Sequence, residues 1–363
     1  MWASALRDTL SGKDFRPVQA TGERYRQENR KGRFGLPESG LTPELMKDMY
    51  YVMALSRALD DRLWVLNRQG RGPTVYSSNG HEATQVGSAF ALRRGEDWIV
   101  PYYRDMTLVL AWGMTPREVM LHFFAKAEDP NSGGRQMMAH WGSRRLHMLS
   151  TGAVVATQNA HAAGLALASK ILKDGRVSAC FFGDGSASQG EFHEALNFAA
   201  VNKLPVIFFN ENNGYAISVP LNKQTVVQDI SARAAAYGVP GIMVDGNDPV
   251  KVYEVTKAAA DRARRGEGPT LIEAKTYRFV PHSSDDDDRV YRSREEVQEQ
   301  KKHDPLITFA ERLLKDKILT EAEKTEMAAK IKQVVDDATN YADKAAMPDP
   351  ATIGQYVYGG ALA

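Results

Sequence analysis

Apolar residues recur every three or four positions over residues 42–69, which predicts a long helix near the start of the chain. Thr42 and Pro43 are suited to begin this helix, and Gly70 is suited to end it. The same signals predict three further helices, at 81–93, 116–126 and 158–173. A short apolar run at Trp98–Tyr102 predicts a strand between the second and third helices.

From residue 158 onward, helical patterns alternate with short, continuous apolar runs of strand length. Val177–Phe182 and Pro205–Phe209 are two such runs, and Glu191–Asn202 between them carries an apolar helical face. Two more strands and the helix between them are predicted at Ile242–Val244, Thr270–Tyr277 and Pro249–Arg264. This alternation predicts an α/β fold with a doubly wound, mostly parallel sheet.

The remaining patterns divide the chain into three predicted parts. Residues 1–40 are predicted to form an irregular N-terminal arm. Residues 41–300 are predicted to form an α/β domain that begins with helices. Residues 301–363 are predicted to form a C-terminal helical extension, with helices at about 305–316 and 321–345. Two long loops are expected inside the domain, namely 129–152, rich in Gly, Arg and His, and the acidic segment 282–290.

The composition narrows the function classes only slightly. The chain has 363 residues, of which 43% are hydrophobic and 25% are charged, and its formal net charge is +1. This balance gives no electrostatic reason to expect nucleic-acid or membrane binding. No apolar run is long enough to span a bilayer, and no segment resembles a signal peptide. The single cysteine, Cys180, lies in an apolar strand, so we expect a buried, unpaired thiol in a reducing, cytoplasmic compartment.

Polar residues that suit a metal ion follow two consecutive predicted strands. A Gly-Asp-Gly sequence places Asp184 after the first strand, and an Asn-Asn pair places Asn213 after the second. The helix between these strands makes them parallel neighbours, so their carboxyl ends meet at the edge where ligands of such sheets bind. Carboxylate and amide oxygens suit Mg²⁺ or Ca²⁺, and Mg²⁺ usually completes its shell with phosphate oxygens and water.

The flanking residues favour an anion at the same place. Gly183 and Gly185 are expected to let the backbone approach a ligand closely. A helix that starts after Ser186 would direct free N–H groups towards a negative charge. Together with the metal ligands, these residues describe a diphosphate that a divalent metal bridges to the protein.

The same residues resemble the thiamine-diphosphate motif, and the string Asn-Asn-Gly-Tyr-Ala-Ile-Ser at 212–218 is similar to the α subunit of the 2-oxo acid dehydrogenase E1 component. The resemblance extends over residues 41–345 and implies that 41–300 is a thiamine-diphosphate-binding domain. It implies that Asp184, Asn213 and the main-chain carbonyl of Tyr215 bind Mg²⁺. Some members have an arginine that contacts the diphosphate where this chain has Glu211. Other residues must then neutralise the phosphates, or Glu211 must point away.

Further site residues are implied by the resemblance, position by position. The implied cofactor-binding set comprises Tyr103, Arg104, Ala153, Val155, Gly183, Asp184, Gly185, Ser186, Ala187, Asn213, Tyr215, Ala216, Ile217 and His282. The implied substrate-binding set comprises Tyr76, Tyr103, Met137, His140 and Ala153. The potassium (K⁺) site of the family corresponds to Gly152, Val154, Thr157 and Gln158.

Two of these positions depart from the family pattern, and a third has an alternative interpretation. Gly152 replaces a serine that is a potassium ligand in the family. Ala153 replaces a serine of the branched-chain members, so a hydroxyl contact to the cofactor is absent. His140 also has an interpretation as a structural hydrogen-bonding residue.

His282 follows the fourth predicted strand at the same edge of the sheet. The resemblance implies that it is the catalytic histidine beside the cofactor. Without that context, a histidine next to four aspartates, 285–288, is more typical of a solvated loop. Ser283 matches the serine that is phosphorylated in mitochondrial members of the family.

The strings 134–140 and 156–158 resemble branched-chain members of the family more than pyruvate members. The implied reaction is the oxidative decarboxylation of a branched-chain 2-oxo acid and the reductive acylation of a lipoyl group on the E2 acyltransferase. A pyruvate or acetoin dehydrogenase α subunit is the alternative enzyme. A regulatory subunit that binds Mg²⁺ and phosphate without catalysis is the alternative from another class.

Thiamine chemistry also needs a carboxyl group at the aminopyrimidine of the cofactor, and the sequence offers no motif for it. In two-subunit family members this glutamate belongs to the β subunit. The resemblance therefore implies that the chain carries half of an active site and pairs with an E1 β subunit in an α₂β₂ heterotetramer.

Overall fold

Five parallel strands form the central sheet of the computed structural model, which describes residues 40–355 and 357. The sheet strands are β1 (Trp98–Val100), β2 (Ser178–Gly183), β3 (Val206–Asn212), β6 (Gly241–Asp245) and β7 (Thr270–Lys275). Their order across the sheet is β1-β2-β3-β7-β6, and every pairing is parallel. The predicted α/β class and parallel sheet are confirmed.

Helices cover both faces of this sheet. The α-helices are α1 (Pro43–Arg68), α2 (Glu82–Ala91), α3 (Met106–Ala111), α4 (Pro116–Phe123), α5 (Thr157–Leu172), α6 (Gly190–Val201), α7 (Leu221–Gln224), α8 (Pro249–Arg264), α9 (Arg294–Lys301), α10 (Pro305–Lys315) and α11 (Glu321–Lys344). Alternate residues of β2 separate two cores, because Phe181 packs in the core that includes α1, α2 and α8, and Phe182 in the core that includes α5 and α6. The sheet is therefore doubly wound, as predicted.

Capping residues explain where several helices begin. Thr42 accepts a hydrogen bond from the backbone of Leu45 at the start of α1. Thr115 and Thr320 each form a capping box with the glutamate three residues later, which starts α4 and α11. These local signals lie in the sequence, and the predicted starts of the three helices therefore agree closely with the structure.

The differences from prediction concern short elements. The first strand ends at Val100, because Pro101 has no N–H group to donate and the backbone of Tyr102 donates to Asp105 instead. Helix α3 was not predicted, since all six of its residues are buried and it has no polar face. The two-stranded hairpin β4 (Tyr215–Ala216) and β5 (Val219–Pro220), helix α7 and helix α9 were also not predicted.

The C-terminal helices pack on the N-terminal ones. Leu313 of α10 and Val335 of α11 belong to the same core as Leu59 of α1. The predicted boundary between residues 300 and 301 stays a prediction. The predicted arm lies outside the described residues, apart from Gly40. Among the described residues, no helix combines the length and apolar character needed to cross a bilayer.

The predicted loop 129–152 is irregular apart from one turn, Arg144–Leu146, and is anchored at its start by Asp129. This carboxylate accepts hydrogen bonds from the backbone and side chain of both Asn131 and Ser132, and it contacts the ring of His122 at 3.0 Å. Burial alone would raise the pKa of Asp129, but the bonds from His122 and Asn131 outweigh it and lower the pKa to about 2. The loop is therefore held by a charged group.

Asp97 braces three elements around the N-terminal ends of β1 and β2. Its fully buried carboxylate accepts two bonds from Arg264 of α8, at 2.8 and 2.6 Å, and one each from the backbones of Arg93 and Val177. Removing one partner of a buried ion pair leaves the other charge uncompensated. Asp97 therefore links α8 and the end of α2 to the sheet.

We expect Asp97→Asn to lower the free energy of unfolding by about 3 kcal/mol, measured by chemical denaturation, because Arg264 loses its counter-charge. Glu96→Gln is the matched control. Glu96 pairs with Arg93 at 3.5 Å on the surface, and such exposed pairs contribute at most about 1 kcal/mol. Equal effects of the two substitutions would contradict the bracing role.

Candidate cofactor site

Asp184 lies where strand β2 ends, at the carboxyl edge of the sheet. Gly183 pairs with Glu211 of β3, so Asp184 and the residues after β3 lie side by side. The Asp184 side chain is buried, and its Oδ2 atom accepts a hydrogen bond from Gln224 at 2.6 Å. Burial raises the pKa of this carboxyl group. A cation bound here would favour the charged form.

Asn213 faces the same edge from the end of β3. Its side-chain Oδ1 atom accepts a hydrogen bond from the backbone of Tyr215 at 3.1 Å, and its Nδ2 atom lies 3.3 Å from Nε2 of His81. Tyr215 opens the β4–β5 hairpin, and its hydroxyl group donates to Glu296 at 2.8 Å. The three predicted metal ligands therefore follow two strands and open the hairpin. Asp184 is the residue after β2, Asn213 is the residue after β3, and Tyr215 is the first residue of the hairpin.

Gly185 lets the turn at Asp184 approach the β4–β5 hairpin, because a Cβ atom on Gly185 would lie 2.8 Å from the Cβ atom of Ala216. The expected approach of Gly183 and Gly185 to a ligand stays a prediction. Gly183 is open, with Tyr102 3.9 Å from the position of a Cβ atom. The helix expected after Ser186 is α6, which begins at Gly190, and a 3₁₀ turn over Asp184–Ser188 separates it from β2.

Glu211 points away from the sheet edge into a buried polar cluster. Its Oε2 atom contacts Nδ1 of His81 at 2.7 Å, Nε2 of Gln85 at 3.0 Å and the hydroxyl of Tyr102 at 3.4 Å. Burial and the charge of Glu211 raise the pKa of the neighbouring Asp105 well above its usual range. The contacts of Glu211 therefore lie within this buried cluster and not with the residues at the strand ends.

His282 contacts two buried arginines. Arg104 donates from Nη2 to both Nδ1 and the carbonyl oxygen of His282 at 3.2 Å, and Arg278 Nη1 lies 3.5 Å from the same Nδ1. Burial, and then the positive charges of Arg104 and Arg278, lower the pKa of His282 to about 3. Since a guanidinium can only donate, Nδ1 is the acceptor and the single ring proton resides on Nε2.

Arg104 and Arg278 lack a carboxylate partner among the described residues. Arg104 is 1% exposed, donates otherwise to the carbonyl of Ser77, and leaves Nε without any acceptor. Arg278 is 0% exposed and donates to the carbonyls of Ile217 and Val280 and to the hydroxyl of Tyr291. Burial and the charge of Arg104 lower the pKa of Arg278 to about 10, so Arg278 stays charged at neutral pH. Buried charges are normally paired, so two such cations mark a place for an anion.

The four aspartates of the acidic loop, 285–288, are held by individual contacts with residues other than Arg104 and Arg278. Asp286 accepts from the backbone of His282 and the hydroxyl of Tyr291. Asp285 accepts from the side chain of Thr74, and the other two aspartates pair with arginines in the sequence order Asp287–Arg289 and Asp288–Arg292. Arg289 and Arg292 thus pair with this acidic run, and Arg278 does not.

Two tyrosine rings pack around the imidazole of His282. Tyr76 and Tyr103 lie 5.0 Å apart, and each ring centroid is within 6 Å of the imidazole, at 5.8 and 5.9 Å. Trp141 connects the loop 129–152 to this cluster through a hydrogen bond to the carbonyl of Tyr103. The structure thus brings together three segments that are far apart in the sequence, namely Tyr76, the pair Tyr103–Arg104, and His282.

The other predicted contacts are less closely connected to this cluster. His140 contacts the carbonyls of Met137 and Met138 through Nδ1, which is the structural hydrogen bonding left open above. The Met137 side chain is exposed, as are Ala153 and Val155. Ser186 and Ala187 are buried beside Asp184, and Ile217 reaches the site through its carbonyl oxygen.

The positions that correspond to a potassium site lie around the start of α5. The Thr157 hydroxyl donates to the carbonyl of Val154 at 3.1 Å, and Gly152 is exposed. Gln158 is buried and donates to the carbonyl of Phe181 in β2. No cluster of three or more His, Cys, Asp or Glu side chains arranged to hold a metal occurs among the described residues. A potassium site would therefore rest on oxygen atoms of the backbone, the hydroxyl and the amide.

The donor set at the sheet edge fits a metal–diphosphate group. Carboxylate, amide and carbonyl oxygens are ligands for Mg²⁺, and the unpaired guanidiniums suit phosphate oxygens. The buried Oε1 atom of Gln224 has no partner, although its amide lies against Asp184. An additional polar group at this point would satisfy that orphan atom.

The fold and this edge define an α/β protein with an anion-compatible, oxygen-rich site between parallel strands. The sequence profile of the family described as dehydrogenase E1 component matches residues 50–351. The chain is 52% identical over 319 residues to the 2-oxoisovalerate dehydrogenase subunit alpha of Bacillus subtilis, which covers 88% of this chain and 97% of that relative. The chain belongs to the dehydrogenase E1 component family, whose members depend on thiamine diphosphate.

Two other relatives bear different names. The chain is 37% identical over 326 residues to the 3-methyl-2-oxobutanoate dehydrogenase subunit alpha of Mycobacterium tuberculosis, which covers 90% of this chain and 84% of the relative. It is 38% identical over 319 residues to the pyruvate dehydrogenase E1 component subunit alpha of Staphylococcus aureus, which covers 88% and 83%. All three relatives are named as alpha subunits.

Sequence reasoning missed Arg278, Gln224 and His81 as site residues. Arg278 directly follows the predicted fourth strand at the ligand edge, a position that could have marked it as a candidate. Gln224 reaches Asp184 from helix α7, which was not predicted. His81 reaches Asn213 across 132 residues of sequence, and only the tertiary structure reveals that contact.

We expect Arg278→Met to weaken the binding of inorganic pyrophosphate in the presence of Mg²⁺ by about tenfold or more, because a charge-assisted donor is lost. The free energy of unfolding should change by less than about 2 kcal/mol, since an unpaired buried cation is replaced by an apolar side chain of similar length. Calorimetric titration and chemical denaturation measure the two quantities.

Arg264→Met is the control for this substitution. Arg264 is paired with Asp97, so its loss should destabilise the protein and leave pyrophosphate binding unchanged. Unchanged pyrophosphate affinity in Arg278→Met would contradict the anion assignment.

Proposed function

We propose that this chain is the α subunit of the E1 component of a branched-chain 2-oxo acid dehydrogenase complex. The reaction is the oxidative decarboxylation of a branched 2-oxo acid with reductive acylation of the lipoyl group of E2. The observation that carries the proposal is the pair of buried, carboxylate-free arginines, Arg104 and Arg278, that contact His282. The charge of Arg278 also acts on the carboxyl group of Asp184 and lowers its pKa against the effect of burial. Family membership supports it independently.

The residues present would hold Mg²⁺ and thiamine diphosphate together. Asp184, Asn213 and the carbonyl of Tyr215 supply oxygen ligands for Mg²⁺. Arg104 and Arg278, which both contact His282, would supply positive charge. This charge would take the place of the arginine that some family members have at the position of Glu211. Bound thiamine diphosphate supplies the electron sink for decarboxylation.

The protein's own contribution near the substrate centres on His282. Its imidazole is neutral, its Nδ1 atom accepts from Arg104, and its Nε2 atom carries the proton. His282 can therefore donate a hydrogen bond from Nε2 to charge that develops on the substrate or on the lipoyl sulfur. Tyr76 and Tyr103 flank the ring and limit its rotation.

The branched-chain assignment rests on the relatives as well as on the strings 134–140 and 156–158. The relative with 52% identity is named for 2-oxoisovalerate and that with 37% identity for 3-methyl-2-oxobutanoate. The pyruvate alternative is supported by the relative with 38% identity.

A β subunit would complete the active site with the carboxylate for the aminopyrimidine, in an α₂β₂ assembly that acts with an E2 acyltransferase. The alpha-subunit names of the relatives support this division. A potassium ion at 152–158 remains a proposal that Val154 and Thr157 support with two adjacent oxygen atoms.

Asp184→Ala and Asn213→Ala should each weaken Mg²⁺-dependent binding of thiamine diphosphate to the α–β complex by about 100-fold, because each removes a direct metal ligand. Calorimetric titration measures this binding, and circular dichroism verifies the fold. Asp245→Ala is the control, since Asp245 is an exposed carboxylate at the end of edge strand β6. Normal cofactor affinity in both site variants would refute the assignment.

The reconstituted α–β complex should prefer branched 2-oxo acids over pyruvate by about tenfold or more in kcat/KM. An acyl pocket fitted to a branched chain leaves space around a methyl group, and each missing methylene contact typically costs about tenfold or more. Initial rates with pyruvate, 2-oxobutanoate and branched 2-oxo acids test this. The α chain without β subunit is the control and should be inactive. Equal or better use of pyruvate would favour a pyruvate dehydrogenase.

A further inference from the structure

Helix α2 directs two side chains from its first turn into the space behind the proposed metal site. His81 is the N-cap residue of α2, and Gln85 follows one turn later on the same face. Both are 0% exposed, and both contact the Oε2 atom of Glu211, at 2.7 and 3.0 Å. Glu211 is therefore fixed in a single position on β3.

The other ring nitrogen of His81 faces the proposed metal ligand Asn213. Nε2 lies 3.3 Å from Nδ2 of the Asn213 amide, so one imidazole joins Glu211 to Asn213. These contacts form a continuous chain from a carboxylate through an imidazole to an amide, with every member buried.

The direction of the hydrogen bonds in this chain follows from the chemistry of its members. The Oε2 atom of Glu211 accepts from Nε2 of Gln85 and from the hydroxyl of Tyr102, so Nδ1 of His81 donates to the same oxygen and carries the single proton of the neutral ring. Nε2 is then a bare acceptor and requires an N–H group opposite it. Asn213 meets this requirement only with its Nδ2 atom towards His81, which turns its Oδ1 atom the other way.

That rotation is the one that a metal ligand needs. A flipped Asn213 amide would place Oδ1 against the lone pair of Nε2 and leave its N–H groups towards the cation. The backbone N–H of Tyr215, 3.1 Å from Oδ1, supports the same rotation from the other side.

We infer that His81 and Glu211 are positioning residues that hold the Asn213 side chain in the rotation that presents its Oδ1 atom to the metal. This inference rests on the proposed function. The arrangement is comparable to the outer-shell hydrogen bonds that orient metal ligands, whose loss typically costs about 10- to 100-fold in metal affinity. It also gives Glu211 a role at the position where some family members have an arginine.

The test uses three variants in the α–β complex and measures the Kd for Mg²⁺ by calorimetry at saturating thiamine diphosphate. His81→Phe fills the space without hydrogen bonds and should raise the Kd by about 10- to 100-fold. His81→Gln can donate to Glu211 from one atom and accept from Asn213 with the other, so it should stay within about threefold of the unsubstituted complex. His122→Phe replaces another buried histidine, which contacts Asp129, and should leave the Kd unchanged.

Asn213→Asp separates positioning from a general packing effect. An aspartate presents an oxygen in either rotation, so His81→Phe should cause no further rise in Kd in this background. An equal rise in both backgrounds, or a normal Kd in His81→Phe, would overturn the inference. If His81→Phe does not fold, loss of affinity in His81→Gln equal to that of Asn213→Ala would also overturn it.

The proposed function fails by a different result. Absence of Mg²⁺-dependent thiamine diphosphate binding in the unsubstituted complex would overturn the proposed function, and with it the positioning role. Normal binding in the unsubstituted complex and in His81→Phe would overturn the positioning role alone.

Discussion

The parallel pairing of β2 with β3 is the constraint on which the site depends. Its register, with Gly183 opposite Glu211, brings the ends of two strands to one edge and places Asp184 beside the Asn212–Asn213 pair. Both strands are buried on both faces, so a shift by one residue would move large apolar side chains out of their cores. The register is therefore determined by packing, and the polar residues at the edge inherit their positions from it.

Charge is distributed unevenly around this edge. On one side, Arg104 and Arg278 are buried without carboxylate partners and lower the pKa of His282 to about 3. On the other side, the Oε2 atom of Glu211 is in contact with His81 and Gln85, within a buried polar cluster. The edge is thus electropositive where an anion would lie. This holds although Glu211 stands at the position where some family members have an arginine, which by itself suggested a negative charge at the edge.

The acidic loop illustrates why a charge run cannot be interpreted from sequence alone. Four consecutive aspartates repel one another in an extended chain, which favours a loose loop. In the fold, each of them has a partner of its own, and Asp288 is buried against Arg292. Its bonds to Thr74 and Tyr291 attach it to the segment before Tyr76 and to a hydroxyl group that also contacts Arg278.

The sequence by itself determined the α/β class, the long helices and the two polar strand ends, because periodicity, caps and apolar runs are local signals. Thr42, Thr115 and Thr320 start helices through neighbours three residues away. Helix α3 and the β4–β5 hairpin escaped prediction, since the first is buried on all sides and the second is too short to have a period. Only the tertiary structure decided the direction of Glu211, the contact of Gly185 with Ala216, and the meeting of His81 with Asn213. Each of these depends on contacts between distant parts of the chain, whose geometry is set by packing and not by any pattern along the sequence.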